Sequence, residues 1–393
     1  MTALTHQPHA FTRTDRSRVG VWWWTVDRWL LGATAFLIIV GVLLSFTSSP
    51  AEAARLHIRD PFHFAVRQSV FGLGAAAVAM SASMLSARGV RRWALIIYGA
   101  TILMMMALPA IGHSAKGAAR WIEFSGFSLQ PSEFMKPALI VLCGWMFAEG
   151  QKGEGVPGVS IAFALYGLSV VLLLIEPDVG QTILITIAFG AAFFMAGVPI
   201  RWILGLGGAA LAGIVGLYFA FQHVATRVHS FLGKNGEEGG HQVDKALDAI
   251  RNGGLFGRGP GEGVMKRSVP DGFTDFIYAL AAEEYGLVFS LTLITVLGFL
   301  VIRGLYKAMR LQDAYEQVAA AGLFVLVGQQ SFINIAVNLK MIPTKGMTLP
   351  FISYGGSSML AMGLTLGFAM ALTRRRPGAY SNAPVVAPAG QFA

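Results

Sequence analysis

The sequence predicts an all-α integral membrane protein with about ten transmembrane helices, both termini cytoplasmic, and one large extracytoplasmic loop between helices 7 and 8. Three observations support this prediction: an apolar composition, apolar runs that recur along the chain, and an uneven distribution of lysine and arginine. Of the 393 residues, 54% are hydrophobic and 13% are charged, whereas charged residues make up about a quarter of an average soluble domain. The composition therefore excludes an ordinary soluble class.

The apolar runs have about the length that a helix needs to cross a hydrocarbon core of ~30 Å. They are continuous rather than alternating, which favours a helical bundle over a β-barrel. The predicted spans are residues 29–46, 65–85, 93–111, 133–148, 159–175, 180–197, 201–222, 276–302, 315–338 and 350–373.

The distribution of basic residues predicts the orientation. With the N-terminus inside, fifteen Lys and Arg residues lie in inner segments and seven in outer ones, leaving out the long loop, as the positive-inside rule requires. The predicted units are a cytoplasmic tail 1–27, one transmembrane domain 28–376 with its large loop 223–275, and a disordered cytoplasmic tail 377–393. The net charge of +9 fits contact with an anionic leaflet and requires no nucleic acid.

The N-terminal tail carries basic residues and three tryptophans, Trp22–Trp24, but no small-residue cleavage site. It therefore predicts a retained first helix with an interfacial anchor rather than a cleaved signal peptide. The single Cys143 allows no intrachain disulfide.

The long polar loop leads from a Gly-rich segment, GRGPGEG, into an apolar helix whose predicted first turn carries Asp275. Carboxylates are disfavoured at the edge of hydrocarbon, so Asp275, with Glu283 and Glu284 two turns deeper, is a candidate functional residue. The alternative is that Asp275 only complements the positive end of the helix dipole. Glycines in the segment permit close approach of the backbone to a ligand, although the Walker spacing is absent.

A second polar segment reads HSAKGAARWIEFSGFSLQPSEFMK and places Arg120 and Trp121 at the membrane interface. Glu133 and Lys136 follow at a helix start, three residues apart, so they share a helix face and can neutralise each other. The pair is either a buried strut or part of a cationic and aromatic wall for an anionic, sugar-bearing substrate.

Two further outer segments carry candidate side chains. The hairpin EPDVGQ contains Asp178, which either caps the following helix or faces the same site as Asp275. His57, Asp60 and His63 in the first outer loop have no recognised metal-ligand spacing, which favours a solvated loop.

Taken together, the motifs KGAARWI, QPSEFMKPALI, EPDVGQ, GHQ, NGGLFGRGPGEG, TDFIYALAAEEYG and IPTKGMTLPFISYGGSS resemble those of the SEDS family of bacterial membrane proteins. The resemblance covers the chain from the first to the tenth span. Lys345 in PTKGMTLPF makes the chain more similar to the family's cell-division members than to its elongation members.

This resemblance implies a ten-helix bundle and a peptidoglycan glycosyltransferase that polymerises lipid II at the outer face of the plasma membrane, at the division septum. The implied partners are a class B penicillin-binding protein (a septal transpeptidase of the FtsI type), divisome activators of the FtsQ, FtsL, FtsB and FtsN type, and the lipid bilayer. A divalent cation, Mg²⁺ or Mn²⁺, is expected, and no organic cofactor.

Matching the family's motifs to this chain places its essential aspartate on Asp275. The expected substrate-binding residues are Arg120, Trp121, Lys136 and Lys345. Expected supporting residues are Glu133, Asp178, Gln242, Glu283 and Ser357, with Asp275 and Asp178 as candidate ligands of the cation. Phe273 stands where many relatives have His, Asp271 where many have Glu, and Gln181 where Thr or Ser is common, which puts in doubt a histidine beside the aspartate but not the aspartate itself.

Polymerisation of an α-linked donor into a β-1,4 strand inverts the anomeric carbon, so a single displacement needs one base and stabilisation of the departing pyrophosphate. We expect Asp275 to be the base, with Arg120, Lys136 and Lys345 near the pyrophosphate. A lipid flippase or transporter, a noncatalytic scaffold, and an elongation-type polymerase stay open. The chemistry-bearing residues lie near the outer ends of the predicted helices rather than at mid-depth, which argues against a transporter.

Overall fold

The computed structural model describes residues 17–374, except 112, 116–117, 125–126, 154, 198–199, 221–224, 226–228, 230–237, 270–271 and 344–345. Most of the predicted N-terminal tail, the whole predicted C-terminal tail 377–393, and Lys345 lie outside the described residues.

The described residues are mostly helical. The helices are α1 (Arg18–Thr25), α2 (Arg28–Arg55), α3 (His63–Ser83), α4 (Ala87–Ile111), α5 (Pro131–Gln151), α6 (Gly158–Ile175), α7 (Val179–Met195), α8 (Ile200–Ala220), α9 (Glu238–Gly253), α10 (Ile277–Ala308), α11 (Ala314–Asn338) and α12 (Gly356–Leu372), with a short 3₁₀ helix at Met265–Arg267. The strands are β1 (His113–Ala115), β2 (Ala118–Phe124) and β3 (Phe127–Leu129).

A described helix lies at each of the apolar runs. Six of them, α2, α3, α4, α6, α10 and α11, are long and apolar enough to cross a membrane, and α7 and α12 are shorter apolar helices. Because backbone groups in lipid must bond within their own segment, this set of helices fits a multi-pass membrane protein.

Several predicted boundaries differ from the structure. Helix α4 begins at Ala87 rather than at residue 93, and α10 ends at Ala308 rather than at residue 302. Helix α2 continues past the predicted end at residue 46 to Arg55, because a helix can extend beyond the apolar run that crosses the membrane. Helix α12 begins at Gly356 rather than at residue 350. The residues before it form turns, with Phe351 in the left-handed region at φ 62°.

Two elements were not predicted. Strands β1, β2 and β3 form an antiparallel sheet in that order, between α4 and α5. Helix α9 lies in the large loop and packs against α10. Helix α9 is polar and the strands are only three to seven residues long, so a search for apolar runs of transmembrane length passes over them.

Helix α5 lies at the centre of the bundle. It packs against α4, α6, α7, α11 and α12, and most of its 21 residues are buried. Gly144 permits the contact with α11, because a Cβ there would lie 2.9 Å from the backbone nitrogen of Ala319. The α5–α11 contact brings polar side chains of both helices together near one end of the bundle.

At the opposite end, Asp27 ties α2 to α10. Its carboxylate caps α2 and forms ion pairs with Arg303 at 2.9 Å and Lys307 at 2.6 Å. Burial alone would raise the pKa of Asp27, but the hydrogen bonds from Arg303 and Lys307 outweigh burial and lower it to about 2. Arg303, which the sequence analysis counts among the inner basic residues, therefore also has a structural partner.

Helix α10 is interrupted at Gly286, whose φ of 80° and ψ of −176° lie outside the helical region. The Gly-rich segment 253–263 packs into this break: the Leu287 N–H donates to the Gly254 carbonyl (2.9 Å), and the Arg258 N–H donates to the Glu283 carbonyl (3.0 Å). A Cβ at Gly257 would collide with the Glu284 backbone. These glycines therefore do allow a close approach of the backbone. The neighbour in this structure is the protein's own backbone rather than a ligand.

We predict that Gly286→Ala destabilises the protein by roughly 1–3 kcal/mol, because Ala is strained at this backbone conformation and its Cβ would collide with the Gly257 nitrogen. Gly298→Ala is the matched control: Gly298 lies on the same helix with nothing within 4 Å of an added Cβ, so it is expected to be neutral or stabilising. Thermal unfolding in detergent measures both. Equal effects of the two substitutions would contradict the packing role of the break.

Candidate active site

Asp275 lies two residues before α10, in the turn that leads into the helix, and is partly buried. The prediction that Asp275 belongs to the first helical turn is therefore wrong by two residues. Its main-chain carbonyl accepts two hydrogen bonds from α11, from Asn334 Nδ2 (2.9 Å) and Asn338 Nδ2 (3.0 Å). The backbone that carries the carboxyl group is thus fixed to a buried helix.

The carboxyl group of Asp275 faces the segment that follows Lys345. A Cβ built on Gly346 would lie 3.5 Å from Asp275 Oδ2, and Gly346 has φ 59°. Lys345 itself lies outside the described residues. Gly346, which directly follows Lys345 in the sequence, is the described residue of this segment that lies against the Asp275 carboxyl group.

An aromatic cluster holds the other side of this turn. The Phe273 ring stacks on Tyr354 with centroids 4.5 Å apart, and Phe64 packs edge-on against both rings. The Tyr354 N–H also donates to the Phe273 carbonyl (3.2 Å). Phe273, which stands where many relatives have His, thus anchors the Asp275 turn to the segment before α12.

Glu133 and Lys136 form a buried ion pair on α5. Lys136 Nζ lies 3.0 Å from both carboxylate oxygens of Glu133, and the lysine side chain is only 2% exposed. Gln181 Nε2 donates to Glu133 Oε1 (2.6 Å), and Lys136 Nζ reaches Gln330 Oε1 (3.5 Å). This geometry matches the strut interpretation, and it places Lys136 inside a polar network rather than on an open wall.

Asp178 and Arg120 extend this network toward the sheet. Asp178 caps α7 by accepting from the Gln181 N–H (3.1 Å), and Arg120 Nε lies 3.9 Å from Asp178 Oδ2. Arg120 on β2 also donates to the carbonyls of Glu176 and Pro177. The capping interpretation of Asp178 is therefore confirmed, and the carboxylate also faces the arginine of the RW motif. That it faces the same site as Asp275 stays a prediction.

The polar network continues to the Asp275 turn through α11. Gln330 Nε2 donates to the main-chain carbonyl of Thr348 (3.1 Å), and Asn334 Nδ2 donates to that of Met347 (2.6 Å) as well as to Asp275. Hydrogen bonds and ion pairs thus connect the RW, QPSE, EPDVGQ, TKGM and TDF segments. The sequence analysis predicted this helix as the span 315–338 but passed over its amide side chains, although amides four residues apart in an apolar run were the available signal.

Glu176 is a second residue that the sequence analysis passed over. Its side chain is 4% exposed, and neither carboxylate oxygen has a hydrogen-bond partner within the described part of the chain. Burial, and then the neighbouring charge of Asp178, raise its pKa to about 8, against a smaller opposing effect of Arg120. Burial likewise raises the pKa of Asp178, while Arg120 lowers it.

Three other predicted residues lie around this network. Trp121 is half-buried on β2, in register with His113 of β1. Ser357 is in the first turn of α12, where its buried Oγ has no hydrogen-bond partner among the residues described. Gln242 is half-buried on α9, in the large loop. Their roles stay predictions.

Glu283 has a structural role in the fold. It is fully buried, and its carboxylate accepts from the N–H groups of Val264 and Met265 at 3.0–3.2 Å. Next to it, Glu284 forms an ion pair with Lys266 at 3.0 Å. Both acids on α10 therefore hold the Gly-rich segment in place.

The described residues contain no group of three His, Cys, Asp or Glu side chains that could hold a metal ion, including the first outer loop with His57, Asp60 and His63. Asp178 and Asp275 are joined only through several intervening side chains. A cation at either carboxylate would therefore need further ligands from water or substrate.

Comparison with known proteins supports the motif resemblance. The model of the FtsW, RodA and SpoVE family, described as cell cycle protein, matches residues 28–377. A protein of Caulobacter vibrioides named "Probable peptidoglycan glycosyltransferase FtsW" is 69% identical over 372 residues, covering 95% of each chain. A Geobacter protein of the same name is 32% identical and covers 90% of this chain and 98% of its own.

Solved structures show the same fold. A peptidoglycan synthase complex, described as coordinating polymerization and crosslinking, contains a chain with a TM-score of 0.73 and 25% identity, covering 88% of this chain and 97% of that one. The rod shape determining protein RodA of Thermus thermophilus aligns with a TM-score of 0.66 and 26% identity, covering 89% and 97%.

We predict that Glu176 makes stability depend on pH. Its pKa in the folded protein, about 8, lies above the ordinary 4.5, so its contribution is fully present below pH 4.5 and is lost as the pH rises toward 8. Wild type should therefore lose stability relative to Glu176→Gln across this window, by a few kcal/mol at most.

The measurement is the melting temperature of both proteins from pH 5 to 8.5. Glu123→Gln, at an exposed position on β2, is the control and should show no such trend. A difference between wild type and Glu176→Gln that stays constant with pH would contradict the prediction.

Proposed function

Because the chain belongs to the FtsW, RodA and SpoVE family of cell-cycle proteins, we propose that it is a peptidoglycan glycosyltransferase that polymerises lipid II into β-1,4 glycan strands. The polymerisation takes place at the outer face of the plasma membrane, during septal wall synthesis. One observation supports the proposal most: the carboxyl group of Asp275 faces Gly346, the residue that directly follows Lys345 in the sequence.

Asp275 acts as the base in this proposal. The donor sugar is α-linked to a lipid pyrophosphate and the product is β-linked, so one displacement with inversion suffices, and a base must take the proton of the attacking 4-hydroxyl. The Asp275 backbone is fixed by α11 and by the aromatic cluster. A fixed backbone supports the role of Asp275 as the base, because the carboxyl group keeps its position relative to the bound sugars.

Basic side chains stabilise the departing pyrophosphate. Lys345 acts next to Asp275, and Arg120 acts from β2, where its guanidinium is only partly buried and offers further donors. Lys136 contributes indirectly, because its ammonium is held by Glu133. Trp121 provides an apolar face for a sugar ring.

A divalent cation, Mg²⁺ or Mn²⁺, is part of the proposal. When bound, it neutralises charge that develops on the pyrophosphate. The donor chemistry fits a hard cation at Asp275 or Asp178, with pyrophosphate oxygens and water completing its shell, since the described residues offer no ready-made cluster.

A class B penicillin-binding protein is the proposed partner, and divisome activators of the FtsQ, FtsL, FtsB and FtsN type are the proposed regulators. The partner is supported by the shared fold with a chain of a peptidoglycan synthase complex. The septal role is supported by 69% identity to a protein named as an FtsW.

The test is polymerisation of labelled lipid II by the purified protein with its class B partner, in Mg²⁺ or Mn²⁺ and with moenomycin to block the unrelated polymerase class. We expect glycan chains from wild type and a loss of about 10²–10⁴-fold in Asp275→Asn, the range for a general base. Chelation of the divalent cation should also lower the rate.

Asp244→Asn is the matched control. Asp244 lies on α9 and forms an ion pair with Lys340 in an exposed position, so its loss should leave the rate near that of wild type. Full activity in Asp275→Asn would overturn the assignment of the base. No chains from either protein, with lipid II moving between leaflets of vesicles, would instead support the flippase alternative.

A further inference from the structure

Three amide side chains form a buried stripe on α11. Gln330, Asn334 and Asn338 are spaced by four residues, so they share one helix face, and none is more than 2% exposed. Amides buried in an apolar helix are costly unless they are bonded. Their partners therefore indicate what the stripe is for.

Asn334 uses both hydrogens of its amide nitrogen to join two segments. Nδ2 donates to the main-chain carbonyl of Asp275 (2.9 Å) and to that of Met347 (2.6 Å). Two donors on one planar group fix two acceptors relative to each other. One acceptor belongs to the TDF segment, and the other lies two residues after Lys345.

Asn338 holds the same carbonyl from the next turn of α11. Its Nδ2 donates to the Asp275 carbonyl (3.0 Å), and its Oδ1 accepts from the Ala279 N–H (3.1 Å). That N–H belongs to the first turn of α10 and also donates to the Phe276 carbonyl (3.0 Å), so Asn338 adds a second acceptor at the helix start. Asn338 thus serves as a cap that comes from a neighbouring helix.

Gln330 completes the arrangement at the other end of the stripe. It links the Thr348 carbonyl (3.1 Å) to Lys136 Nζ (3.5 Å). The segment that follows Lys345 is therefore held at two successive carbonyls, those of Met347 and Thr348. The turn with Asp275 is held from the same helix face.

We propose that Asn334 is a positioning residue for the reaction: by bonding both carbonyls, it sets the distance between Asp275 and the segment that carries Lys345. The inference rests on the proposed role of Asp275 as the base. The chemical reason is that a base and a cation on separate segments act together only when their spacing is held, and a misplacement of about 1 Å can cost roughly 10²-fold in rate.

The test compares Asn334→Ala and Asn334→Asp with wild type in lipid II polymerisation. Both should lower kcat by about 10- to 100-fold, with the KM for lipid II changed by less than about threefold, because substrate contacts remain. Ser331→Ala is the matched control: Ser331 is buried on α11 but bonds only to the Val327 carbonyl of its own helix. Its kcat should equal that of wild type.

A comparison of the two variants tests whether hydrogen-bond donation from position 334 to the two carbonyls is required. A protonated aspartic acid keeps one O–H donor toward the two carbonyls, whereas alanine keeps none and an ionised aspartate repels both. The ratio of the kcat of Asn334→Asp to that of Asn334→Ala should therefore rise as the pH is lowered from 8 to 6. A ratio independent of pH would contradict the positioning role.

Should Asn334→Ala fail to fold, Asn338→Asp serves as the second variant. It retains an acceptor for the Ala279 N–H and, when ionised, loses donation to Asp275, so kcat should fall at pH 8 and recover in part toward pH 6. If Asp275→Asn is inactive while the asparagine variants keep the wild-type kcat, the inference fails and the proposed function stands. If Asp275→Asn is active, the proposed function fails.

Discussion

A lysine ammonium and a glutamate carboxylate on adjacent turns of α5, Lys136 and Glu133, determine much of the arrangement at one end of the bundle. Neither charge is stable in the bundle interior unless it is paired, and a carboxylate has more lone pairs than one lysine can satisfy. Gln181 of α7 donates to the Glu133 carboxylate, and Gln330 of α11 accepts from the Lys136 ammonium. Satisfying one buried ion pair thus brings three helices into a defined register.

The consequences reach the predicted catalytic turn. The same face of α11 that meets Lys136 also carries Asn334 and Asn338, which bond the carbonyl of Asp275. Because these amides bind the main chain, the carboxyl group of Asp275 stays directed toward Gly346. The buried amides of α11 therefore fix the turn that carries Asp275 through its main-chain carbonyl.

The helices were predictable from sequence, because apolar runs carry that information. The motifs identify Asp275 as the candidate acid, and its role stays a prediction. Several helix boundaries, among them the end of α2 and the start of α12, were not predictable, since a helix can extend beyond its apolar run and turn-forming residues can shorten it. Helix α9 was missed because it is polar, and the sheet because its strands are only three to seven residues long.

The partners of the polar residues could not be read from the sequence. Gln330 and Asn334 lie more than fifty residues from Lys136 and Asp275, and only tertiary packing brings them together. The Gly-rich segment shows a related limit. Its glycines did predict close backbone approach, but not that the neighbour would be the interrupted helix α10 at Gly286.

The central claim is that the Glu133–Lys136 pair organises this end of the bundle, and a double-mutant cycle tests it most directly. Glu133→Gln and Lys136→Met each leave one buried charge unpaired and should each cost roughly 3–5 kcal/mol. The double variant removes both charges and should recover at least about 2 kcal/mol relative to the sum of the single effects. Unfolding free energies that add without coupling would contradict the account.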